Sequence, residues 1–249
     1  MPSPSILLFI SALLGGLVVL VLPKPKPATF KFVLAFAGGY LFSVTILHVL
    51  PDLLSAHPSS MRIGVYVLAG FFLQLCLGFF SQGIEHGHMY EPGQEGYARN
   101  LSPLALFTSL YIHAFLDGVI LSSTTAAHWH HTHTTERLLV GIILHKASEA
   151  FALATVLKGF VQKKKLVTLY LLLFSLASPL GLWISRYCSQ QLLLTQEGFV
   201  ALAAIAGGNF LHISTTIFFE SNPHHRISFP RLVATLAGAG LVVLLEYLF

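Results

Sequence analysis

Residues 103–124 read PLALFTSLYIHAFLDGVILSST, an apolar run that is interrupted near its middle by His113 and Asp117. About 20 consecutive apolar residues are enough for one α-helix to cross the hydrocarbon core of a bilayer. Side chains four residues apart lie on the same face of such a helix, and an imidazole and a carboxylate are costly in hydrocarbon unless they hold something polar. The run therefore predicts a transmembrane helix that carries half of a buried cation site.

A second apolar run, at residues 137–157, has the same arrangement. It contains His145 and Glu149, again four residues apart, with Lys146 between them. Two imidazoles and two carboxylates from neighbouring helices suit a borderline divalent ion such as Zn²⁺, and with added water they suit Fe²⁺, Mn²⁺ or Cd²⁺. The two runs together predict a metal site at the middle of a membrane.

The composition of the whole chain predicts an all-α membrane protein. The 249-residue chain is 55% hydrophobic and 10% charged, with a mean hydropathy of +0.75, values that exclude an ordinary soluble domain. We expect residues 1–249 to form one transmembrane domain without a separate soluble domain. Its eight predicted helices lie near residues 4–22, 32–50, 63–82, 103–124, 137–157, 166–185, 198–219 and 231–249.

The Lys and Arg residues predict the orientation of these helices, because positive charge accumulates in cytoplasmic loops. With the N-terminus placed outside, ten of the fourteen Lys and Arg residues fall in inner segments and three in outer ones, while Lys146 lies within a span. The first helix is expected to be retained, since its basic residues follow the apolar run rather than precede it. Both termini are expected to face the exterior or a lumen, at the plasma membrane or an endomembrane.

The overall charge has the same origin and points to no nucleic-acid partner. The net charge of +4 and the pI near 9.1 follow from the inner excess of basic residues and from few acids. No basic cluster is interleaved with aromatic residues, as nucleic-acid binding requires. The expected partners are the lipid bilayer and a divalent metal ion.

The second and seventh blocks resemble each other in sequence. Residues 36–45, FAGGYLFSVT, align without a gap on residues 205–214, IAGGNFLHIS. By the loop count, the second helix runs from inside to outside and the seventh from outside to inside. We therefore predict that helices 1–3 and 6–8 are inverted repeats around a central pair, helices 4 and 5, where transporters of this kind bind cargo. Close helix packing is an alternative explanation of the Gly pairs.

Lys146 has two interpretations. One residue beyond His145 it is turned by about 100° around the helix, so it borders the ligand cluster and places a fixed cation where a second metal ion would sit. In the alternative, Lys146 pairs with Asp117 or Glu149 and the imidazoles bond to backbone, so that the cluster only fastens helices 4 and 5. The first interpretation predicts one bound ion rather than two.

Polar residues outside the central pair are further candidates. His48 and Asp52 lie four residues apart at the outer end of helix 2 and are candidate entrance ligands, although an Asp at a helix end is commonly just solvated. The candidates for collecting ions on the outer loop are His128, His130, His131 and His133. The candidates for exit at the inner end of helix 7 are Glu220, His224 and His225.

These features resemble the ZIP (zinc/iron-regulated transporter-like) family of divalent-metal transporters over nearly the whole chain. The resemblance rests on the eight-helix plan and on the motifs His113-x-x-x-Asp117-Gly118, His145-Lys146-x-x-Glu149, Leu47-His48-Val-Leu-Pro51-Asp52 and Ser178-Pro179-Leu-Gly181. It implies a site formed by His113, Asp117, His145 and Glu149, with Zn²⁺ carried into the cytosol as cargo and no resident cofactor. It also implies a homodimer in which the metal-carrying helices move against a scaffold, elevator-fashion.

The chain differs from many members of that family at two positions of the site. Ala114 stands where many members have Asn, and Lys146 stands where many have Glu. Both positions contribute to a second, bridged metal ion in those relatives. The long His-rich loop between helices 3 and 4 is reduced to His86 and His88. The departures at Ala114 and Lys146 argue against a site for two metal ions, and the reduced loop argues against metal sensing by the inner loop.

Two other classes of function are alternatives to a transporter. A zinc protease requires His-Glu-x-x-His, whereas this chain has Lys146 at the position of the general base. Di-iron oxygenases need many His residues at the cytosolic face, whereas the dense cluster at residues 128–133 is predicted to lie outside. We therefore expect no enzyme. The other alternative is a non-transporting membrane receptor or scaffold in which Lys146 replaces the metal.

Overall fold

The computed structural model describes residues 3–21, 27–56, 59–81, 102–126, 134–161, 163–193, 195–219 and 228–248. Within these ranges, eight helices are long and apolar enough to cross a membrane. Their bounds are α1, Pro4–Val21; α2, Pro27–Val44, continued by a π-helical turn at Thr45–Val49 and by Leu50–Ala56; α3, Ser60–Ser81; α4, Pro103–Ala126; α5, Thr134–Phe160; α6, Lys164–Gln190; α7, Gln196–Phe219; and α8, Phe229–Leu248. The prediction of an all-α membrane protein with eight spans is confirmed.

Helix α2 extends further at both ends than the predicted block at residues 32–50. Proline lacks a backbone N–H, and its ring clashes with the preceding turn of a straight α-helix, so a proline at position 51 ordinarily kinks or ends a helix. The π-helical turn at Thr45–Val49, in which the N–H of Leu50 bonds to the carbonyl of Thr45, widens the helix just before the proline. The helix therefore continues, and Asp52 lies within it rather than at its end.

Helix α4 packs against α6 through glycine residues on both helices. A Cβ atom at Gly118 would overlap the carbonyl oxygen of Ser178, and one at Gly181 would overlap the carbonyl oxygen of Phe115. The hydroxyl of Ser178 also donates a hydrogen bond to the carbonyl oxygen of Ala114 at 2.6 Å. Small residues at a crossing let two backbones approach closely within a membrane. This contact positions the segment of α4 that carries the candidate ligands.

Helix α5 has the same kind of contact with α1. A Cβ atom at Gly15 would overlap the carbonyl oxygen of Ala147. Further along the pair, Nζ of Lys158 donates a hydrogen bond to the carbonyl oxygen of Val19 at 3.1 Å. Because Ala147 follows Lys146 directly, α1 supports the turn of α5 that carries the candidate site.

Glycine contacts of the same form join α2 with α8 and α3 with α7. A Cβ atom at Gly39 would overlap the carbonyl oxygen of Thr235, and one at Gly208 would overlap the carbonyl oxygen of Val67. Gly39 and Gly208 occupy the same place in the predicted alignment of the second block with the seventh. Aligned glycines thus make equivalent contacts in the two helix pairs.

The reverse contacts in these two pairs match as well. A Cβ atom at Gly238 of α8 would overlap the carbonyl oxygen of Phe36, and one at Gly70 of α3 would overlap that of Ile205. Phe36 and Ile205 are again aligned, and both glycines follow the sequence Leu-Ala. The matching contacts support the inverted-repeat arrangement, which stays a prediction.

The helices differ in how much of their surface the protein covers. In the most apolar window of α2, α4, α5 and α7, 56–67% of residues are buried, against 17–28% in α1, α3 and α8. Large apolar side chains such as Phe79 and Tyr247 are exposed on α3 and α8, as contact with lipid requires. The α4–α5 pair is therefore an interior element, and its polar side chains lie away from lipid.

Candidate metal site

The predicted ligands on α4 and α5 converge in the interior of the helix bundle. His113, Asp117, His145 and Glu149 are each at most 1% exposed. Each His–acid pair projects from one face of its helix because its members are four residues apart. Rings of His113 and His145 lie with their centroids 5.6 Å apart, so the two faces are opposed.

Three of these side chains offer ligand atoms to a common point. Nε2 of His113 lies 2.8 Å from Oε1 of Glu149, and Nε2 of His145 lies 3.4 Å from the same oxygen. One ligand atom from each of these three residues lies within 4.8 Å of the others. The ligand atoms of a tetrahedral Zn²⁺ ion, with bonds of about 2.1 Å, are about 3.4 Å apart. The group is thus close to the size that a small divalent ion requires.

Asp117 lies at the edge of this three-residue group. Its Oδ2 is 3.6 Å from Nε2 of His113 and 2.6 Å from Nζ of Lys146. Its other oxygen, Oδ1, has no hydrogen-bond partner within the described residues and is therefore available to an ion. The role of Asp117 as a fourth ligand stays a prediction.

Lys146 is buried against the candidate ligands. Its ammonium pairs with the carboxylates of both Asp117 and Glu149, and its Nζ lies 5.4 Å from the centroid of the Phe174 ring on α6. A buried charge costs several kcal/mol unless it is paired, and here one cation serves two carboxylates. This geometry agrees with both interpretations of Lys146, since the ammonium borders the candidate ligands and also neutralises them.

The imidazole of His145 is fully buried without a hydrogen bond. Neither of its ring nitrogens has a hydrogen-bond partner within the part of the chain that the structure describes. Buried polar atoms in folded proteins nearly always have a partner. If the cluster only fastened helices α4 and α5, the imidazoles would be hydrogen-bonded to the backbone. An imidazole without a hydrogen bond beside a carboxylate instead suits a ligand for an ion.

Asn209 on α7 is a contact residue that the sequence did not single out. Its side chain is fully buried, and its Nδ2 lies 2.8 Å from Nδ1 of His113. The two residues are 96 positions apart, so no local spacing relates them. The one available signal was an amide within the apolar seventh block, directly after a Gly pair.

His48, a candidate entrance ligand, takes part in a polar cluster that joins α2, α5 and α8. Its Nε2 lies 2.8 Å from Oε2 of Glu246, and Nη1 of Arg137 donates to both partners. Nη2 of Arg137 also donates to the carbonyl oxygen of Leu245 at 3.2 Å. Asp52 is buried as well, one turn further along α2. The entrance role of His48 and Asp52 stays a prediction.

The remaining candidate residues lie outside the described part of the chain. They are His128, His130, His131, His133, Glu220, His224 and His225. Their roles in collecting and releasing ions stay predictions.

Comparison with known proteins gives the family of this chain. A family model described as ZIP zinc transporter matches residues 84–246. The chain is 25% identical to zinc transporter ZIP1 of Danio rerio, over 79% of this chain and 76% of that protein. It is 31% identical to zinc transporter ZIP9-B of Xenopus laevis, over 61% of this chain, and spans about half of that relative's length. Since the family match includes all of α4, α5, α6 and α7, this chain belongs to the ZIP family of zinc transporters.

Proposed function

We propose that this protein moves Zn²⁺ from the exterior or a lumen into the cytosol through the buried site on α4 and α5. The observation that carries the proposal is the convergence of His113, His145 and Glu149 in the interior of the helix bundle. Membership of the ZIP family supports zinc as the cargo. Imidazole and carboxylate ligands also suit Fe²⁺, Mn²⁺ and Cd²⁺, which are the competing ions to test.

The proposed site holds one ion at a time. Lys146 places a fixed positive charge against both Asp117 and Glu149. A second divalent ion that bridged these carboxylates would be repelled by the ammonium at short range. On α4, Ala114 offers no ligand atom beside His113. A single ion therefore suits the charge of the cluster better than two.

The proposed movement of the site is a rigid-body motion of α1, α4, α5 and α6. Glycine contacts join α4 with α6 and α1 with α5, and Gly16 of α1 packs against Leu171 of α6. A separate set of glycine contacts joins α2 with α8 and α3 with α7. Domains that pack as units can shift against each other as rigid bodies. This division supports an elevator-type motion, and the family resemblance adds the expectation of a homodimer.

Uptake of radioactive zinc into cells or vesicles that contain the full-length chain tests the proposed function. We expect saturable uptake by the wild type and its loss in His145→Ala, Asp117→Ala and Glu149→Ala, with unchanged surface expression. Competition by Cd²⁺, Mn²⁺ and Fe²⁺ in the same assay defines the choice of metal.

A buried histidine elsewhere provides the matched control for this assay. His212 of α7 is 6% exposed, and its ring packs against the ring of Phe71 at 4.8 Å. His212→Ala is expected to retain most of the uptake. Wild-type protein without saturable uptake would contradict transport, and uptake that persists in all three site variants would contradict the site.

A non-transporting scaffold or receptor is the second candidate function. The pairing of Lys146 with both carboxylates favours it, because the cluster is already partly neutralised without a metal ion. This candidate predicts no saturable zinc uptake by the wild type and no effect of His145→Ala on uptake. The same assay therefore separates the two functions.

A further inference from the structure

Asn209 on α7 contacts the His113 ring at Nδ1, whereas Nε2 of the same ring lies near Glu149. Nδ2 of Asn209, on α7, lies 2.8 Å from Nδ1 of His113, and Asn209 is 0% exposed. Its Oδ1 has no hydrogen-bond partner within the described residues. A buried amide oxygen without a partner is costly, so its position next to a candidate ligand points to a use for that oxygen.

We propose that Asn209 is a positioning residue, which orients the imidazole of His113 toward the ion and bonds to it in both the ion-free and the ion-bound state. The inference rests on the proposed function, because it takes His113 as a ligand of the transported ion. Since Asn209 engages Nδ1, the nitrogen that remains for the ion is Nε2, which lies 2.8 Å from Oε1 of Glu149.

The two states require opposite hydrogen bonds at Nδ1 of His113. A neutral imidazole carries its proton on one nitrogen only. When the amide group of Asn209 donates to Nδ1, that proton is on Nε2, which lies 2.8 Å from Oε1 of Glu149. When an ion takes the lone pair of Nε2, the proton is on Nδ1 and needs an acceptor. A half-turn of the Asn209 amide presents Oδ1 for this purpose.

An amide suits this position because it combines a donor and an acceptor in one planar group. A carboxylate of the same size only accepts, and an apolar side chain such as Leu does neither. Histidine ligands generally donate their second N–H to an acceptor that fixes the ring, and loss of that acceptor typically weakens metal binding 10- to 100-fold.

The contact between Asn209 and His113 joins the two sets of helices described above. Asn209 lies on α7, in the set formed by α2, α3, α7 and α8, and His113 lies on α4, in the set formed by α1, α4, α5 and α6. Gly208, the neighbour of Asn209, packs against the backbone of Val67 on α3, which anchors this turn of α7. The support of the His113 ring therefore depends on the relative position of α4 and α7. If α4 moves relative to α7 as proposed, the contact between Asn209 and His113 changes with that motion.

The dissociation constant of Zn²⁺ from purified full-length protein in detergent tests the role of Asn209. We expect Asn209→Leu to raise this constant about 10- to 100-fold. Asn209→Asp retains an acceptor for the Nδ1 proton and is expected to bind no more than about threefold more weakly than the wild type. A purely structural role would instead lower the Tm of Asn209→Leu, because Leu is larger than Asn and Asn209 is fully buried, and would leave the dissociation constant of Zn²⁺ near that of the wild type.

Ser214→Ala is the matched control on the same helix. Ser214 is fully buried on α7, and its hydroxyl donates to the carbonyl oxygen of Phe210 at 2.7 Å. We expect an unchanged dissociation constant in this variant. If Asn209→Leu does not fold, Asn209→Ala replaces it in the comparison with Asn209→Asp.

The outcomes separate this inference from the proposed function. A wild-type dissociation constant in Asn209→Leu, or binding by Asn209→Asp as weak as that of Asn209→Leu, overturns the positioning role. Zinc uptake, measured in parallel, should show an increased KM in Asn209→Leu with a smaller change in the maximal rate. Wild-type protein that binds Zn²⁺ without taking it up would contradict transport and leave the binding comparison for Asn209 intact.

Discussion

Lys146 sets the charge balance of the site, because its ammonium is the shared partner of Asp117 and Glu149. Its angular position next to His145 was enough to predict that it borders the cluster. The pairing with two carboxylates was not predictable, since it depends on how α4 is rotated toward α5. The same double pairing explains how three ionisable side chains are accommodated in the interior of the helix bundle.

Lys146→Met removes this cation while keeping a long, flexible side chain. Loss of one partner from a buried ion pair typically destabilises a protein by about 3–5 kcal/mol, because the other charge remains buried. We expect the variant to have a lower Tm than the wild type in chelator, and to gain more than the wild type when Zn²⁺ restores positive charge. Thermal unfolding of the purified proteins checks both effects. An unchanged Tm in chelator would contradict the shared-cation role.

The candidate ligands can be recognised from the sequence, whereas Asn209 cannot. His113 with Asp117, and His145 with Glu149, are detectable because a polar pair at helical spacing within an apolar run is a local signal. A single amide on a distant helix carries no such signal. Asn209 becomes a candidate only when α7 is seen to pack against the far side of His113.

Glycines determine which helices pair closely in this protein. The carbonyl oxygens of Ser178, Phe115, Thr235 and Val67 each occupy the space that a glycine's missing side chain leaves open. Sequence reasoning identified the Gly pairs of the second and seventh blocks but not their partner helices. Partner choice depends on the direction and rotation of helices that are distant in sequence, and periodicity within one helix does not report these.

Gly118→Ala tests the close contact between α4 and α6. A methyl group there would overlap the carbonyl oxygen of Ser178, so the two helices must separate and the ligands on α4 must shift. We expect a lower Tm and reduced zinc uptake per molecule at the surface. Gly240→Ala on α8 is the control, because a Cβ atom at Gly240 meets nothing within 4 Å. Equal effects of the two substitutions would contradict the role of the α4–α6 contact.

The direction of α2 relative to α8 agrees with eight spans that alternate in direction. Helices α2 and α8 run in the same direction, because Phe36 contacts Gly238 and, further along both helices, His48 contacts Glu246. Eight spans that alternate in direction predict that both chain termini lie on one side of the membrane. The excess of Lys and Arg on the other side predicts which side that is.

Protease protection tests the predicted orientation. In microsomes with their cytosolic face outward, we expect tags at both termini to be protected and a tag inserted between Val161 and Lys163 to be cleaved. The physical reason is that Lys163, Lys164 and Lys165 form the strongest cluster of positive charge between two spans, which favours the cytosol. Cleavage of the terminal tags with protection of the inserted tag would contradict the orientation.

The sequence alone determined the membrane class, the eight helices and the two pairs of candidate ligands. These follow from apolar length, from the 3.6-residue helical period and from the cost of charge in hydrocarbon, which act within about twenty residues. Only the tertiary structure decided the double pairing of Lys146, the Asn209–His113 contact and the cluster of His48, Arg137 and Glu246. His48 and Glu246 are 198 positions apart, and such contacts arise from the packing of whole helices, which no local pattern encodes.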